Sequence, residues 1–140
     1  MLNPGTIALC NAGFGDTVIQ SWTAKTLKKG VTKKIDLKCG DKASGYVHIR
    51  AGKQASWQGV INWAGGGGNW DDLMAFATGG ALKEPTPGFP VDAGSNKWCY
   101  TSPMIVTNNK GATKTWNPTI LVSSNNSKVI TSYPTSIDNC

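Results

Sequence analysis

The stretch Lys128-Val129-Ile130-Thr131-Ser132-Tyr133, followed by Pro134, decides the fold that this sequence predicts. Its β-branched and aromatic residues favour a strand, and Pro134 ends the ladder because proline has no backbone N–H to donate. Residues two apart on a strand point to the same face, so Thr131 and Tyr133 should present two hydroxyls side by side. We expect this strand to carry one half of a functional site.

A second stretch, Tyr46-Val47-His48-Ile49-Arg50, holds the one histidine and the one arginine of the chain. Its Tyr, Val and Ile favour an extended segment, on which His48 and Arg50 would share a face. A helix would instead separate the two side chains by about 200°. We predict the extended form, with His48 and Arg50 facing the closing strand.

The remaining elements predict helices first and strands last. Asp16 can cap a helix that Gly30 ends, and a glycine run at 64–68 separates two further helical segments. Proline and glycine then mark a loop before a meander of strands. The predicted helices span 17–29, 56–63 and about 72–82, and the predicted strands span 31–38, 98–107, 115–123 and 128–133.

This order of elements predicts an α+β fold. At 140 residues the chain has the length of one domain, with a helical part over about 1–82 and an antiparallel β-meander over about 97–134. No apolar run approaches the roughly 18 residues that a membrane-spanning helix needs. We expect a single domain, 1–140, with no membrane-spanning segment.

The net charge of +6 and the pI near 9.3 indicate a protein that attracts polyanions. Nucleic acid is the first polyanion to consider, although basic proteins with other partners are common. The charge comes almost entirely from lysine, so it marks a surface rather than a motif.

Four cysteines, Cys10, Cys39, Cys99 and Cys140, are widely spaced and form no CxxC pair. With one histidine available, a structural zinc site is not favoured. Their even number predicts two disulfides, for which three connectivities are open. Two disulfides would indicate export or passage through an oxidising compartment.

The residues singled out suit the cleavage of RNA, which needs a base for the 2′-hydroxyl, an acid for the leaving 5′-oxygen and a cation for the phosphate. His48 transfers protons near neutral pH, and the planar fork of Arg50 matches phosphate oxygens. Lys53 can add a second cation, Tyr133 a proton or hydrogen bond, and Thr131 a positioning hydroxyl. This catalytic set requires no metal and no cofactor.

Six tryptophans suggest a different function, in which exposed indoles stack on bases or sugar rings. Burial in the core is the commoner fate of tryptophan, and we expect it for most of the six. Trp70 and Trp116 stand beside polar and turn residues and are the expected exceptions.

Three motifs resemble the C-terminal ribonuclease domains of bacterial polymorphic toxins, including contact-dependent inhibition toxins of the RNase A-like and EndoU-like kinds. The motifs are Tyr-Val-His-Ile at 46–49, Gly-Asn-Trp-Asp-Asp-Leu-Met-Ala-Phe-Ala at 68–77, and the closing Thr-Ser-Tyr-Pro at 131–134. The resemblance covers roughly Gly45 to Tyr133. It implies a fold within or near the barnase–EndoU–colicin–RelE group.

The resemblance also implies a function. His48 would take the catalytic histidine role, and Thr131 and Tyr133 the active-site roles of the last strand. Such domains cut RNA, often tRNA, without metal and leave a 2′,3′-cyclic phosphate. They are secreted or surface-delivered as part of larger toxins, act in the target-cell cytoplasm, and are neutralised by a cognate immunity protein.

Two other functions stay open at this stage. A secreted carbohydrate-binding or adhesive β-rich module would account for the tryptophans and disulfides. An NAD-targeting toxin, a glycohydrolase or ADP-ribosyltransferase, would also use a small α+β domain with isolated His, Arg and Tyr residues.

Overall fold

The computed structural model describes residues 2–140, which form three helices and eight strands in an α+β arrangement. The predicted fold class is therefore confirmed. The elements in chain order are α1 (Pro4–Asn11), β1 (Val18–Lys25), β2 (Thr32–Lys38), α2 (Tyr46–Ala64), α3 (Trp70–Lys83), β3 (Val91–Gly94), β4 (Lys97–Tyr100), β5 (Met104–Thr107), β6 (Thr113–Trp116), β7 (Thr119–Ser123) and β8 (Lys128–Tyr133).

Six strands form one mixed sheet in the order β1-β2-β8-β7-β4-β3, and β5 and β6 form a separate hairpin. β8 lies inside the larger sheet, antiparallel to β7 and parallel to β2. The sheet was predicted to be antiparallel and C-terminal, and that prediction is wrong in two respects. Two strands from the first forty residues join it, and β2 introduces the parallel pair.

The helix predicted over 17–29 is absent, and β1 occupies this segment. Trp22 and Ala24 are buried while Thr23 and Lys25 are exposed, which is the two-residue alternation of a half-buried strand. β1 pairs with β2 from Val18 to Lys25. Gly30, which was predicted to end the helix, lies in the turn between these strands, and Asp16 caps no helix.

The extended segment predicted at 46–50 is also wrong, because these residues form the first turns of α2. Gly45 enters the helix at a φ of 87°, where a side chain would be strained and would press on the Lys38 carbonyl. Ile49, Trp57 and Val60 then recur on one buried face, at helical spacing. Tertiary packing of this face outweighs the β-propensity of the first few residues.

Two predicted strands are each divided in the structure by a proline. The strand predicted over 98–107 is divided into β4 and β5 before Pro103, and that over 115–123 into β6 and β7 at Pro118. Each proline interrupts the ladder because it lacks a donor. The predicted strand 128–133 and the helix near 72–82 are confirmed as β8 and α3, whereas α1 forms where no helix or strand was predicted.

Helices α2 and α3 cover one face of the sheet. On that face Ile35, Leu37, Ile120 and Val122 are fully buried. Neighbouring residues on each strand point the other way, so Lys34, Lys38 and Lys128 lie on the opposite face. The sheet therefore has an apolar side under the helices and a lysine-bearing side away from them.

All but two of the tryptophans are buried in this core, and the remaining two are half-buried. The expected exceptions, Trp70 and Trp116, are both only 8% exposed, so that expectation is wrong. Trp70 packs beside Tyr46 and Trp116 packs edge-on against Trp63, with ring centroids 5.5 and 5.7 Å apart. None of the six offers an open platform for a sugar ring.

Both predicted disulfides are present. Cys10 pairs with Cys39 and Cys99 pairs with Cys140, which selects one of the three connectivities. The first bridge attaches α1 to the end of β2. The second attaches the segment after β8 to β4.

Substitution of Gly79 tests how tightly α3 packs on β1. A Cβ at Gly79 would collide with the Trp22 indole, so Gly79→Ala should lower the free energy of unfolding by about 1–3 kcal/mol. Gly80 is the matched control, since a Cβ there meets nothing, and Gly80→Ala should raise stability by about 1 kcal/mol. Denaturant unfolding measures both; equal effects at the two positions would contradict this packing.

Candidate functional site

The site begins at a gap in the sheet beside β8. β2 pairs with β8 only at Asp36 and Lys128, so the later half of β8 has no strand on that side. Helix α2 fills the gap: Gly45 N–H donates to the Ile130 carbonyl at 3.0 Å, and Trp57 Nε1–H donates to the Ser132 carbonyl at 3.0 Å. These bonds satisfy edge carbonyls that would otherwise be buried without a partner.

Lys53 and Tyr133 meet at this junction. Lys53 lies on α2 one turn before Trp57, and its ammonium nitrogen is 4.4 Å from the centroid of the Tyr133 ring. Both side chains are half-buried, so the cation is partly removed from water, which strengthens its attraction to the ring. Of the five residues predicted for the site, these two are the pair that the structure records in contact.

Thr131 lies on the same face of β8 as Tyr133. It is 7% exposed, and its hydroxyl has no hydrogen-bond partner among residues 2–140. A buried hydroxyl without a hydrogen-bond partner lowers the stability of the fold, so the Thr131 hydroxyl does not stabilise the fold. The neighbouring Ser132 faces the helices and shares a 2.8 Å hydrogen bond with the Thr78 hydroxyl.

Arg50 points away from this pair, toward α1. Its Nη1 donates to Asn11 Oδ1 at 2.6 Å, and the guanidinium lies 5.4 Å from the Tyr46 ring centroid. Tyr46 in turn donates to Asp71 at 2.8 Å, and burial together with that carboxylate raises the pKa of the Tyr46 hydroxyl. Arg50 thus belongs to a group of contacts that joins α1, α2 and α3.

His48 occupies a third direction. On a helix it stands about 200° from Arg50 and about 140° from Lys53, so the predicted shared face with Arg50 is wrong. Its Nδ1 lies 2.8 Å from the Lys42 carbonyl. Since a carbonyl only accepts, Nδ1 carries the hydrogen, and Nε2 of the neutral ring keeps its lone pair.

The loop that holds His48 also lines a recess of about 270 Å³ at the start of α2. Lys38 and Lys128 contribute positive charge to it, and Asp16 and Asp41 contribute negative charge. A larger cavity, about 570 Å³, lies at the β1–β2 turn beside Phe89 and includes none of the five predicted residues. Because its lining carries both positive and negative charge, this recess is not suited to binding the phosphate of an RNA substrate.

Asn139 is a member of the site that sequence reasoning missed. Its side-chain Nδ2 donates to the Tyr133 hydroxyl at 3.0 Å, so the phenol meets Lys53 at its ring and Asn139 at its oxygen. No local pattern marks Asn139, because its position depends on the neighbouring Cys99–Cys140 bridge.

No family model, curated protein or solved structure matches this chain. Within residues 2–140, no three metal-binding side chains lie together. Across the same residues, no helix combines the length and apolar character needed to span a membrane.

Thr131 and Thr119 form a matched pair for a stability test. Thr119 is fully buried but well bonded, since it accepts from Asn139 N–H at 2.8 Å and shares a 2.9 Å bond with Thr135. Thr119→Val should cost about 1–3 kcal/mol, whereas Thr131→Val should be neutral or stabilising because no bond is lost. Thermal or denaturant unfolding measures the difference, and a comparable loss at Thr131 would contradict its unpaired state.

Proposed function

We propose that this protein is a metal-independent toxin endoribonuclease in which Tyr133 and Lys53 form the reacting pair. The observation that carries the proposal is the lysine ammonium 4.4 Å from the tyrosine ring at the free edge of β8. A phenol can protonate a leaving 5′-oxygen, and the adjacent cation stabilises the phenolate that results. The 2′-hydroxyl gives its proton to solvent in this scheme.

The lysine-bearing face of the sheet supports an RNA substrate. Lys34 and Lys128 lie on it; the Lys34 side chain is 73% exposed with its Nζ 4.0 Å from the Asp36 carboxylate, and Lys128 is half-buried. Exposed lysines attract phosphates without selecting a base, so they would hold RNA of many sequences near the sheet. The net charge of +6 acts in the same direction over a longer range.

The buried tryptophans make a carbohydrate-binding module less suitable, because such a module needs exposed indoles. No feature of the site favours NAD over RNA. We therefore keep the ribonuclease proposal, with the toxin setting that the motif resemblance implies. In that setting the protein is delivered to a target cell, where it cuts RNA, often tRNA. In the cell that produces it, a cognate immunity protein inhibits it.

The first test is cleavage of total RNA by the purified protein, with and without EDTA, in oxidising and in dithiol-containing buffer. We expect cleavage that EDTA leaves unchanged and that produces 2′,3′-cyclic phosphate ends. Tyr133→Phe should slow it about 10²-fold because the proton donor is lost. RNA that stays intact in both buffers would overturn the proposal.

Lys53→Met separates the local cation from overall charge. It should slow cleavage about tenfold or more, since the phenolate loses its counter-charge. Lys110→Met removes the same charge from an exposed turn and should leave the rate within about twofold, since screened surface charges act weakly. Equal losses for the two variants would show that Lys53 contributes only to net charge.

His48 provides a test of the geometry. Because its ring stands about 140° round α2 from Lys53, His48→Ala should slow cleavage less than Tyr133→Phe does, by under about tenfold. The comparison uses RNA cleavage rates at one pH. A larger loss for His48→Ala would show that the His48 imidazole is the catalytic group and would reject the Lys53–Tyr133 pair.

A further inference from the structure

The segment 134–140 folds back over β7 and β8, on the face of the sheet opposite the helices. Thr135 anchors its first half: the Thr135 hydroxyl donates to the Asn117 carbonyl at 2.6 Å, and Asn117 N–H donates to the Thr135 carbonyl at 2.7 Å. A shared bond to the Thr119 hydroxyl, at 2.9 Å, adds a third contact. These bonds hold the start of the segment to the beginning of β7.

The second half of the segment, residues 136–140, is more exposed than the first. Ile137, its large apolar residue, is 78% exposed and so contributes little burial. Three hydrogen bonds hold this half: Asn117 Nδ2 donates to the Ser136 carbonyl at 3.0 Å, and Asn139 donates from its N–H to Thr119 and from its side chain to the Tyr133 hydroxyl. The Cys99–Cys140 bridge adds a covalent restraint at the end of the segment.

The bridge lies over the row of residues that leads to the proposed site. In the sheet register Cys99 is opposite Leu121, and Leu121 is opposite Thr131, so all three side chains share one face. Thr131 lies in this row, buried and with an unpaired hydroxyl, and the Tyr133 hydroxyl accepts from Asn139. The closed segment therefore occupies the Tyr133 hydroxyl.

The two disulfides differ in how a reductant can reach them. Cys140 is exposed, whereas its partner Cys99 is fully buried. In the other bridge, Cys10 is 5% exposed and Cys39 is fully buried. A thiolate must approach a sulfur atom to open a disulfide, and Cys140 is the one exposed residue of the four cysteines, so we expect the Cys99–Cys140 bridge to be attacked first.

We propose that the Cys99–Cys140 bridge is a redox latch that holds Asn139 on the Tyr133 hydroxyl until a dithiol reductant opens it. A reductant thiolate attacks Sγ of Cys140, the S–S bond breaks, and the Cys99 thiolate leaves and takes up a proton. The second thiol of the reductant then displaces Cys140 as a thiol, and the reductant ends as a disulfide. Residues 136–140 can then move away from the Tyr133 hydroxyl, and the consequence for RNA cleavage rests on the proposed function.

The latch is tested without RNA by graded reduction with dithiothreitol. Alkylation and mass spectrometry should detect free Cys99 and Cys140 before free Cys10 and Cys39. Hydrogen exchange at the Asn139 amide should then become roughly 10²-fold faster, the factor that loss of a typical bridge corresponds to. Earlier opening of the Cys10–Cys39 bridge, or an unchanged Asn139 amide, would overturn the latch.

RNA cleavage gives the second readout. The reduced protein and Cys140→Ser should both cut RNA about tenfold or more faster than the oxidised protein, since the covered form must open first. Ile137→Ser changes a residue of the same segment that is 78% exposed, and it should behave as the oxidised wild type. If Cys140→Ser does not fold, graded reduction of the wild type decides the question.

The two proposals fail in different ways. Faster exchange at Asn139 with no RNA cleavage in either redox state would leave the latch in place and reject the ribonuclease. RNA cleavage at equal rates in the oxidised and reduced protein would reject the latch and leave the ribonuclease in place.

Discussion

The incomplete pairing of β8 is the constraint on which this structure depends. β8 is bonded along its length to β7 but meets β2 at a single position, so part of an interior strand has a free edge. Unpaired carbonyls are costly when buried, and α2 supplies the missing donors from Gly45 and Trp57. The same docking that completes the hydrogen bonding brings Lys53 to the Tyr133 ring.

The parts of the fold that the sequence predicted are those with strong local signals. β8 combines strand-forming residues with a turn before it and a proline after it, and α3 follows a glycine run with Asn69 at its N-cap position. β1 and the first residues of α2 were assigned the wrong type because these residues suit both states, whereas the helix predicted over 56–63 forms part of α2. In α2 the buried positions Ile49, Trp57 and Val60 span three turns, so a longer window would have outweighed the Tyr-Val-His-Ile start.

The candidate site was predictable in its strand half and not in its helix half. Thr131 and Tyr133 share a face because strand geometry requires it. Which cation reaches Tyr133 depends on the rotation of α2 about its axis, and the β-type interpretation of residues 46–50 favoured Arg50 over Lys53. The contact of Asn139 with Tyr133 depends on a disulfide, and four cysteines leave its partners open.

The disulfide pairing has a consequence for how the chain matures. Cys10–Cys39 and Cys99–Cys140 link neighbours along the sequence, closing separations of 29 and 41 residues that neither overlap nor enclose one another. The first bridge needs nothing beyond residue 39, so a chain that emerges from its amino end can oxidise that pair before the other two cysteines exist as competitors. Such a sequential pattern limits mispairing, and the bridge beside Tyr133 is the last to close.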